Sequence, residues 1–341
     1  MRIAQIAPLA ESVPPRRYGG TERVVSDLTE CLVALGHDVT LFASGDSRTR
    51  ARLVAPCTQA LRSTKASPAP YGALHLERVA AMAHEFDLLH FHIDCAPLPI
   101  VRRLKTPSLT TMHGRLDLPG LSDLYAEFRE APLVSISNSQ RAPLPRAHWL
   151  GTVYHGIPIS RLRVHEKPGS YLAFLGRISP EKRPDRAIEI ATRAGVPLRI
   201  AAKVDDADRK YFEREIRPLI ERAPAGAIEF LSEIDEAHKE AFLGNARALL
   251  FPIDWPEPFG LVMIEAMACG TPVIGFRQGS VPEVVEHGVS GLIVESLDEA
   301  VRAVDKVGEL SRARCRQAFE SRFTVERMCG EYLSLYRKVV R

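Results

Sequence analysis

Residues 257–265 read EPFGLVMIE, two carboxylates eight positions apart with a Pro-Phe-Gly turn and an apolar run between them. Pro256 and Pro258 bracket Glu257 and stiffen its loop. Phe259 and Gly260 then turn the chain into a helix whose first amides belong to Leu261 and Val262. Glu265 falls on the early turns of that helix, and Gly270 and Pro272 end it. Carboxylates accept hydrogen bonds in pairs, so each can hold a vicinal diol, while the amides between them face an anion. That chemistry suits a sugar, a phosphate and a ribose in sequence. The same residues also read as a capped core helix with solvated charges at its ends.

Other polar groups fall at comparable points. In GRISPEKRPD, Arg177 follows Gly176 at a strand end, and Lys182 lies where Ser179-Pro180-Glu181 reads as the start of a helix. Two cations so placed can clamp a diphosphate, or they are ordinary surface charges. Near the N-terminus, RRYGGTE puts Gly19 and Gly20 at a helix start, which suits a phosphate or is a plain tight loop. His113 closes the run SLTTMH and is followed by glycine. In LLHFHID, His90, His92 and Asp94 have the H-x-H-x-D spacing used by metallohydrolases, with both histidines on one strand face. That pattern wants a further ligand after Asp94, and Cys95 stands there.

The elements that must position these groups repeat. Apolar runs at 2–9, 38–44, 88–94, 108–113 and 133–138 are followed by a second series at 171–176, 198–204, 228–232, 248–253 and 272–276. Most are apolar on both faces, as strands of a covered parallel sheet are. Helix-period segments lie between them, such as 20–35, with a stripe of Val24, Val25, Leu28, Leu32 and Leu35 and a stop at Gly36. Residues 155–170 lose all periodicity. The reading is therefore an α/β chain with domains at 1–158 and 168–322, a linker at 159–167, and a helix at 323–341 that packs back on the first domain. Open parallel sheets place ligands beyond the carboxyl ends of their strands, and two such sheets facing each other would make a cleft.

A length of 341 residues fits two domains, and a net charge of +3 is too small to argue for nucleic acid. Six scattered cysteines without a CxxC pair fit a reduced chain. The N-terminus has no signal-peptide pattern, and no apolar run reaches the roughly 18–20 residues of a membrane span. A cytoplasmic protein is expected. Arg102, Arg103, Lys105, Arg141 and Arg146 offer a basic face for an anionic membrane or phosphorylated acceptor, or a solvated surface.

The stretch EPFGLVMIEAMACGTPVI, with GRISPEKRPD upstream and YGGTERVV near the N-terminus, resembles the retaining glycosyltransferases of family 4 over nearly the whole chain, in particular bacterial glucosyltransferases. The resemblance implies the GT-B architecture, two facing Rossmann-like domains with parallel sheets and an interdomain cleft. It implies that Glu257 binds donor-sugar hydroxyls and Glu265 the nucleotide ribose. Amides of Phe259, Gly260, Leu261 and Val262 would contact sugar and phosphate. Arg177 and Lys182 would hold the diphosphate, Gly19 and Gly20 would face it, His113 would stand near the donor sugar, and Lys203 would line the nucleotide pocket.

The implied reaction moves a hexose from a nucleotide-diphosphate sugar to an acceptor hydroxyl with retention, without a metal or other cofactor. Among UDP-hexoses and GDP-mannose, UDP-glucose is preferred. No side chain reads as a convincing nucleophile, so a front-face route is expected ahead of attack by Glu257. The acceptor is a small molecule, a lipid or a saccharide, chosen by loops 10–18, 45–75 and 114–130. Hinges are expected at 155–170 and 322–326. Two other readings stand beside this one: a metal-dependent hydrolase built on His90, His92 and Asp94, and a non-catalytic nucleotide-sugar binding module. A dehydrogenase would need a G-x-G-x-x-G after a strand, which this chain lacks.

Overall fold

In the computed structural model, residues 1–17 and 19–340 are described; Tyr18 of the YGGTE loop and Arg341 of the terminal segment lie outside them. The α/β alternation folds as two units, Met1–Pro158 with the C-terminal segment from Val325, and Ile159–Thr324.

The first unit is a seven-stranded parallel sheet of β1 (Arg2–Ile6), β2 (Asp38–Phe42), β3 (Arg52–Val54), β4 (Leu88–Phe91), β5 (Ser108–Thr111), β6 (Leu133–Ser135) and β7 (Trp149–Thr152). Its order is β3-β2-β1-β4-β5-β6-β7. The central strands are buried on both faces, with Ile3, Ala4, Ile6, Leu88, Leu89 and Phe91 fully enclosed. This is why they read as continuous apolar runs. Helix Gly20–Ala34 buries Val24, Val25, Leu28 and Leu32, worth about 1.5–3 kcal/mol each. Leu35, expected in that stripe, is 58% exposed, because the helix has ended and Gly36 turns the chain at φ 81°. The C-terminal helix Val325–Val339 packs against helix Gly20–Ala34 and buries Met328, Cys329, Tyr332 and Tyr336.

The second unit is a six-stranded parallel sheet: β8 (Tyr171–Arg177), β9 (Leu198–Lys203), β10 (Ile228–Phe230), β11 (Ala246–Phe251), β12 (Val273–Phe276) and β13 (Gly291–Val294), in the order β10-β9-β8-β11-β12-β13. Both sheets thus share the Rossmann order of third, second, first, fourth, fifth and sixth strand. Each reverses direction of winding beside its first strand, between β1 and β4 and between β8 and β11. Ligands of such sheets bind beyond the carboxyl ends at that switch point.

The segment 159–167, expected as a linker, packs on the second unit. The Arg163 amide donates to Glu240, and the His165 amide donates to the Cys269 carbonyl. The buried Arg312 guanidinium gathers the carbonyls of His165, Ala246 and Gly244 and the Thr271 hydroxyl around it. Among the described residues no helix is long and apolar enough to cross a membrane.

Candidate active site

In the second unit, β8 ends on Arg177 and the chain leaves the sheet. The helix expected to start at Ser179 does not form there. Pro180–Lys182 makes a single 3-10 turn, Arg183 adopts a left-handed conformation at φ 53°, and the helix begins only at Pro184. The short turn holds Lys182 over the end of β11, where its ammonium lies 4.8 Å from the Trp255 ring centre and 5.7 Å from that of Phe251. Lys182 is ion-paired with Glu257. Arg177 bonds Glu181 at 2.6 Å and faces Asp205 at 3.8 Å and Asp208 at 3.6 Å. Lys203, at the end of β9, shares Asp205 at 2.8 Å. Burial raises the Asp208 carboxyl above its ordinary value.

Beyond β11 the Pro-rich loop carries Glu257, and Gly260 at φ 79° turns it into helix Leu261–Ala268. The first amides of a helix have no carbonyl behind them, so those of Leu261 and Val262 face outward from its N-terminus. Glu257 and Glu265 are 9% and 6% exposed, which overturns the picture of solvated charges at the ends of a core helix. Each carboxylate is met by a lysine of its own unit: Glu257 by Lys182, and Glu265 by Lys239 at 2.6 Å. Lys239 also reaches Glu236 at 3.2 Å. The loop is fastened from β12. Ser280 donates its amide to the Glu257 carbonyl at 3.0 Å and its hydroxyl to that of Phe259 at 2.7 Å. Gly279 passes so close that a Cβ there would lie 2.4 Å from the Glu257 backbone.

In the first unit Gly19 caps helix Gly20–Ala34, and a Cβ on it would meet Pro15 at 2.7 Å. Close packing alone therefore accounts for a glycine at this position. His113 lies two residues beyond β5. Its Nε2 is 2.9 Å from His92 Nδ1, and its ring stacks on His155 with centres 5.3 Å apart. Burial pushes the His113 imidazole down to about 3, so it is neutral at ordinary pH.

The metal-hydrolase reading of His90, His92 and Asp94 fails on geometry. β4 ends at Phe91, so only His90 lies in the strand. Its nitrogens are taken by the Tyr336 and Thr111 hydroxyls, each at 2.7 Å, and those of His92 by His113 and Gln5. No nitrogen is left for a cation, and among the described residues no three His, Cys, Asp or Glu stand where they would hold one. The basic face is also weaker than its sequence suggests. Arg102 is bonded to Glu127 at 2.7 Å and Glu130 at 2.5 Å.

The structure thus places Arg177, Lys182, Lys203, Glu257, Phe259, Gly260, Leu261, Val262 and Glu265 at or beyond the carboxyl ends of β8, β9 and β11 in the second unit. Gly19, Gly20 and His113 belong to the first unit. Sequence reasoning missed Lys239, which carries no local signal. It also missed Asp205, Asp208 and Gly279, whose signal was their position just after strands β9 and β12.

Two family models match the chain, one described as Glycosyl transferases group 1 over residues 161–322 and the other as Glycosyltransferase Family 4 over residues 18–164. A phosphatidyl-myo-inositol mannosyltransferase of Mycolicibacterium smegmatis is 26% identical, over 94% of this chain and 88% of its own. Among solved structures, a glycosyltransferase involved in avilamycin A biosynthesis aligns over 100% of this chain and 98% of its own, with TM-score 0.74 and 23% identity. The Anabaena protein HepE in complex with UDP aligns over 99% of this chain and 100% of its own, with TM-score 0.78 and 16% identity. At these identities the two structures speak to the fold alone.

Proposed function

This chain belongs to glycosyltransferase family 4 and is a glycosyltransferase of the GT-B fold, and from that premise we propose that it moves a hexose from a nucleotide-diphosphate sugar to an acceptor hydroxyl with retention. One observation carries the reading. Two buried carboxylates flank a helix N-terminus, and each is held by a lysine that a donor can displace. When the donor enters, Lys182 turns from Glu257 to the diphosphate, and Glu257 is freed for sugar hydroxyls. Glu265 exchanges Lys239 for the ribose diol in the same way.

The chemistry is a problem of charge. Positive character grows on the anomeric carbon and negative charge on the leaving phosphate. Arg177, Lys182 and the amides of Leu261 and Val262 meet the leaving group, and such preorganised donors are worth about 3–4 kcal/mol each in turnover. The chain's own cations supply this charge, so no metal is expected in the step. The departing phosphate takes the proton of the acceptor hydroxyl on the face it leaves, and no covalent intermediate on Glu257 is required. We take a UDP-hexose, UDP-glucose first, as donor. HepE was solved with UDP, which puts UDP first among the nucleotides to test, and the mannosyltransferase relative favours a mannose nucleotide as the competing donor. Its name also favours a polyol hydroxyl, free or lipid-linked, as acceptor. Six free cysteines fit a reducing cytoplasm.

Calorimetric titration with UDP, GDP and ADP, without metal and then with magnesium, tests the grip. One nucleotide is expected to bind without metal. Glu265→Ala is expected to weaken it about 10- to 100-fold, the worth of hydrogen bonds to a charged group. Binding that is absent, or indifferent to the substitution, would remove the basis of the reading. Binding without any release of nucleotide from a donor sugar would favour a non-catalytic module instead.

A further inference from the structure

A chain of hydrogen bonds runs through the first unit from the C-terminal helix to His113. The Tyr336 hydroxyl lies 3.1 Å from Gln5 Nε2 and 2.7 Å from His90 Nδ1. Gln5 Oε1 is 2.8 Å from His92 Nε2, and His92 Nδ1 is 2.9 Å from His113 Nε2. On the other branch His90 Nε2 reaches Thr111 Oγ1 at 2.7 Å, and Thr111 reaches the Tyr332 hydroxyl at 3.0 Å. Gln5, His90, His92, Thr111, Tyr332 and Tyr336 are all buried.

With Gln5 Nε2 donating to the Tyr336 hydroxyl, the bonding roles along this chain follow one from another. The Gln5 amide oxygen can only accept, so His92 Nε2 carries the proton and donates it. A neutral imidazole has one N–H, which leaves His92 Nδ1 an acceptor and makes His113 Nε2 the donor to it. His113 Nδ1 is then a bare lone pair, and it is shielded from solvent with no hydrogen-bond partner among the described residues. Toward the other end, Gln5 Nε2 donates to the Tyr336 hydroxyl, which passes its own proton to His90 Nδ1. His90 Nε2 then donates to Thr111. Every donor along the chain faces an acceptor. Burial separately keeps all three histidines neutral.

We infer that Tyr336, Gln5 and His92 are positioning residues for the transfer reaction: through them the C-terminal helix sets the tautomer and ring plane of His113, so that Nδ1 offers a lone pair, not an N–H, to a substrate hydroxyl. That the hydroxyl belongs to a transfer substrate rests on the function proposed above; the tautomer does not. The Tyr336 hydroxyl receives the amino end of Gln5, and the reverse arrangement would leave His113 Nδ1 a buried N–H without a partner, so the amide stands this way round. Without the Tyr336 hydroxyl that N–H₂ is buried and unsatisfied, which costs more than an unsatisfied carbonyl. The amide turns over, His92 takes its proton on Nδ1, and His113 becomes an N–H donor at Nδ1.

The test is imidazole nitrogen NMR at neutral pH on enzyme labelled with ¹⁵N-histidine, with His113 assigned by substitution. Wild type is expected to show His113 protonated at Nε2 and bare at Nδ1. Tyr336→Phe is expected to place protonated signal on Nδ1. Tyr332→Phe, which leaves every bond from Tyr336 to His113, is expected to match wild type. In nucleotide release from a sugar nucleotide, Tyr336→Phe should lower kcat about 10- to 100-fold with KM within about twofold. That range falls between one lost hydrogen bond and a wrong catalytic tautomer. Should Tyr336→Phe fail to fold, Gln5→Met removes the same constraint and is expected to give the same His113 spectrum. A wild-type His113 protonated at Nδ1 overturns the inference. So does a Tyr336→Phe enzyme whose spectrum and kcat match those of Tyr332→Phe, which would make the chain a device for packing the helix. Failure of all nucleotide binding would sink the donor reading and leave the spectra standing.

Discussion

The two units solve the same problem in opposite ways. Both gather polar groups toward the carboxyl ends of parallel strands, beside the switch point of the same strand order. The second unit balances charge, buried in Glu257 with Lys182 and Glu265 with Lys239, and partly exposed in Lys203 with Asp205 and Arg177 with Glu181. The first unit buries neutral groups in a single hydrogen-bonded chain of Gln5, three histidines, Thr111 and two tyrosines. Buried ion pairs recover little more than their desolvation cost, so they exchange partners at little net expense. A saturated neutral chain gains from having one arrangement and resists change. The first device suits a ligand that brings its own charge; the second suits the holding of one group in one state.

The largest effects should therefore come from cations of the second unit. Arg177→Ala and Lys182→Ala are each expected to lower turnover about 10²- to 10³-fold, as loss of one preorganised donor to a developing negative charge does. They should differ in stability. Arg177 is partly exposed, and its acidic neighbours can rehydrate. Removal of Lys182 strands Glu257 in a buried position, and breaking a buried pair in this way costs about 3–5 kcal/mol. Turnover and melting temperature of both variants check this. Turnover near wild type in both would mean that the charges serve structure alone.

What was legible in the sequence follows the same division. The central strands announced themselves, because burial on both faces leaves a continuous apolar run. Arg52–Val54, Trp149–Thr152 and Gly291–Val294 did not, since they are three- or four-residue strands at sheet edges that take their register from a neighbour. Glu257 and Glu265 were readable because proline and glycine punctuate the helix between them. Lys239 was not, since its contact with Glu265 is wholly tertiary. The neutral chain was the least legible part. Gln5 reads as a strand residue, and Tyr332 and Tyr336 read as a helix's apolar stripe. His90 and His92 read as metal ligands, because spacing alone does not tell which nitrogens are already bonded.

A smaller effect is expected from the floor beneath Glu257. Gly279 sits at φ 51°, and a Cβ would press on the Glu257 amide and carbonyl. Gly279→Ala should displace the loop that carries Glu257 and sets the first amides of helix Leu261–Ala268. Strain of about 1–3 kcal/mol corresponds to a roughly 5- to 150-fold loss of donor affinity. Titration of the intact sugar nucleotide against the free nucleotide sharpens the point. The loss should be larger for the sugar nucleotide, because Glu265 and its ribose contact lie further along the helix. Equal losses would mean that the loop and the whole helix had shifted together.

Acid should separate the units by the smallest step per group. Burial holds the folded-state values of His75 at about 4 and His113 at about 3, with His90, His92 and His155 well below the ordinary value; all five belong to the first unit. The unfolded chain binds these protons near pH 6.5 and the folded one does not. Their stabilisation is complete above about pH 6.5 and is lost as pH falls below it, by about 1.4 kcal/mol per pH unit for each histidine. In the second unit the groups that stabilise are carboxylates. Glu181 and Asp185 remain below their ordinary values, since hydrogen bonds from arginine and other neighbours outweigh their burial. Their stabilisation persists above about pH 4.5 and is lost only below it. The chain has two tryptophans, Trp149 in the first unit and Trp255 in the second. Acid titration of Trp255→Phe and Trp149→Phe, followed by fluorescence, reports each unit alone. Trp149 should report unfolding at the higher pH. Coincident transitions would mean that the units unfold as one, and loss of the Trp255 signal first would contradict the contrast between a neutral and a charged site.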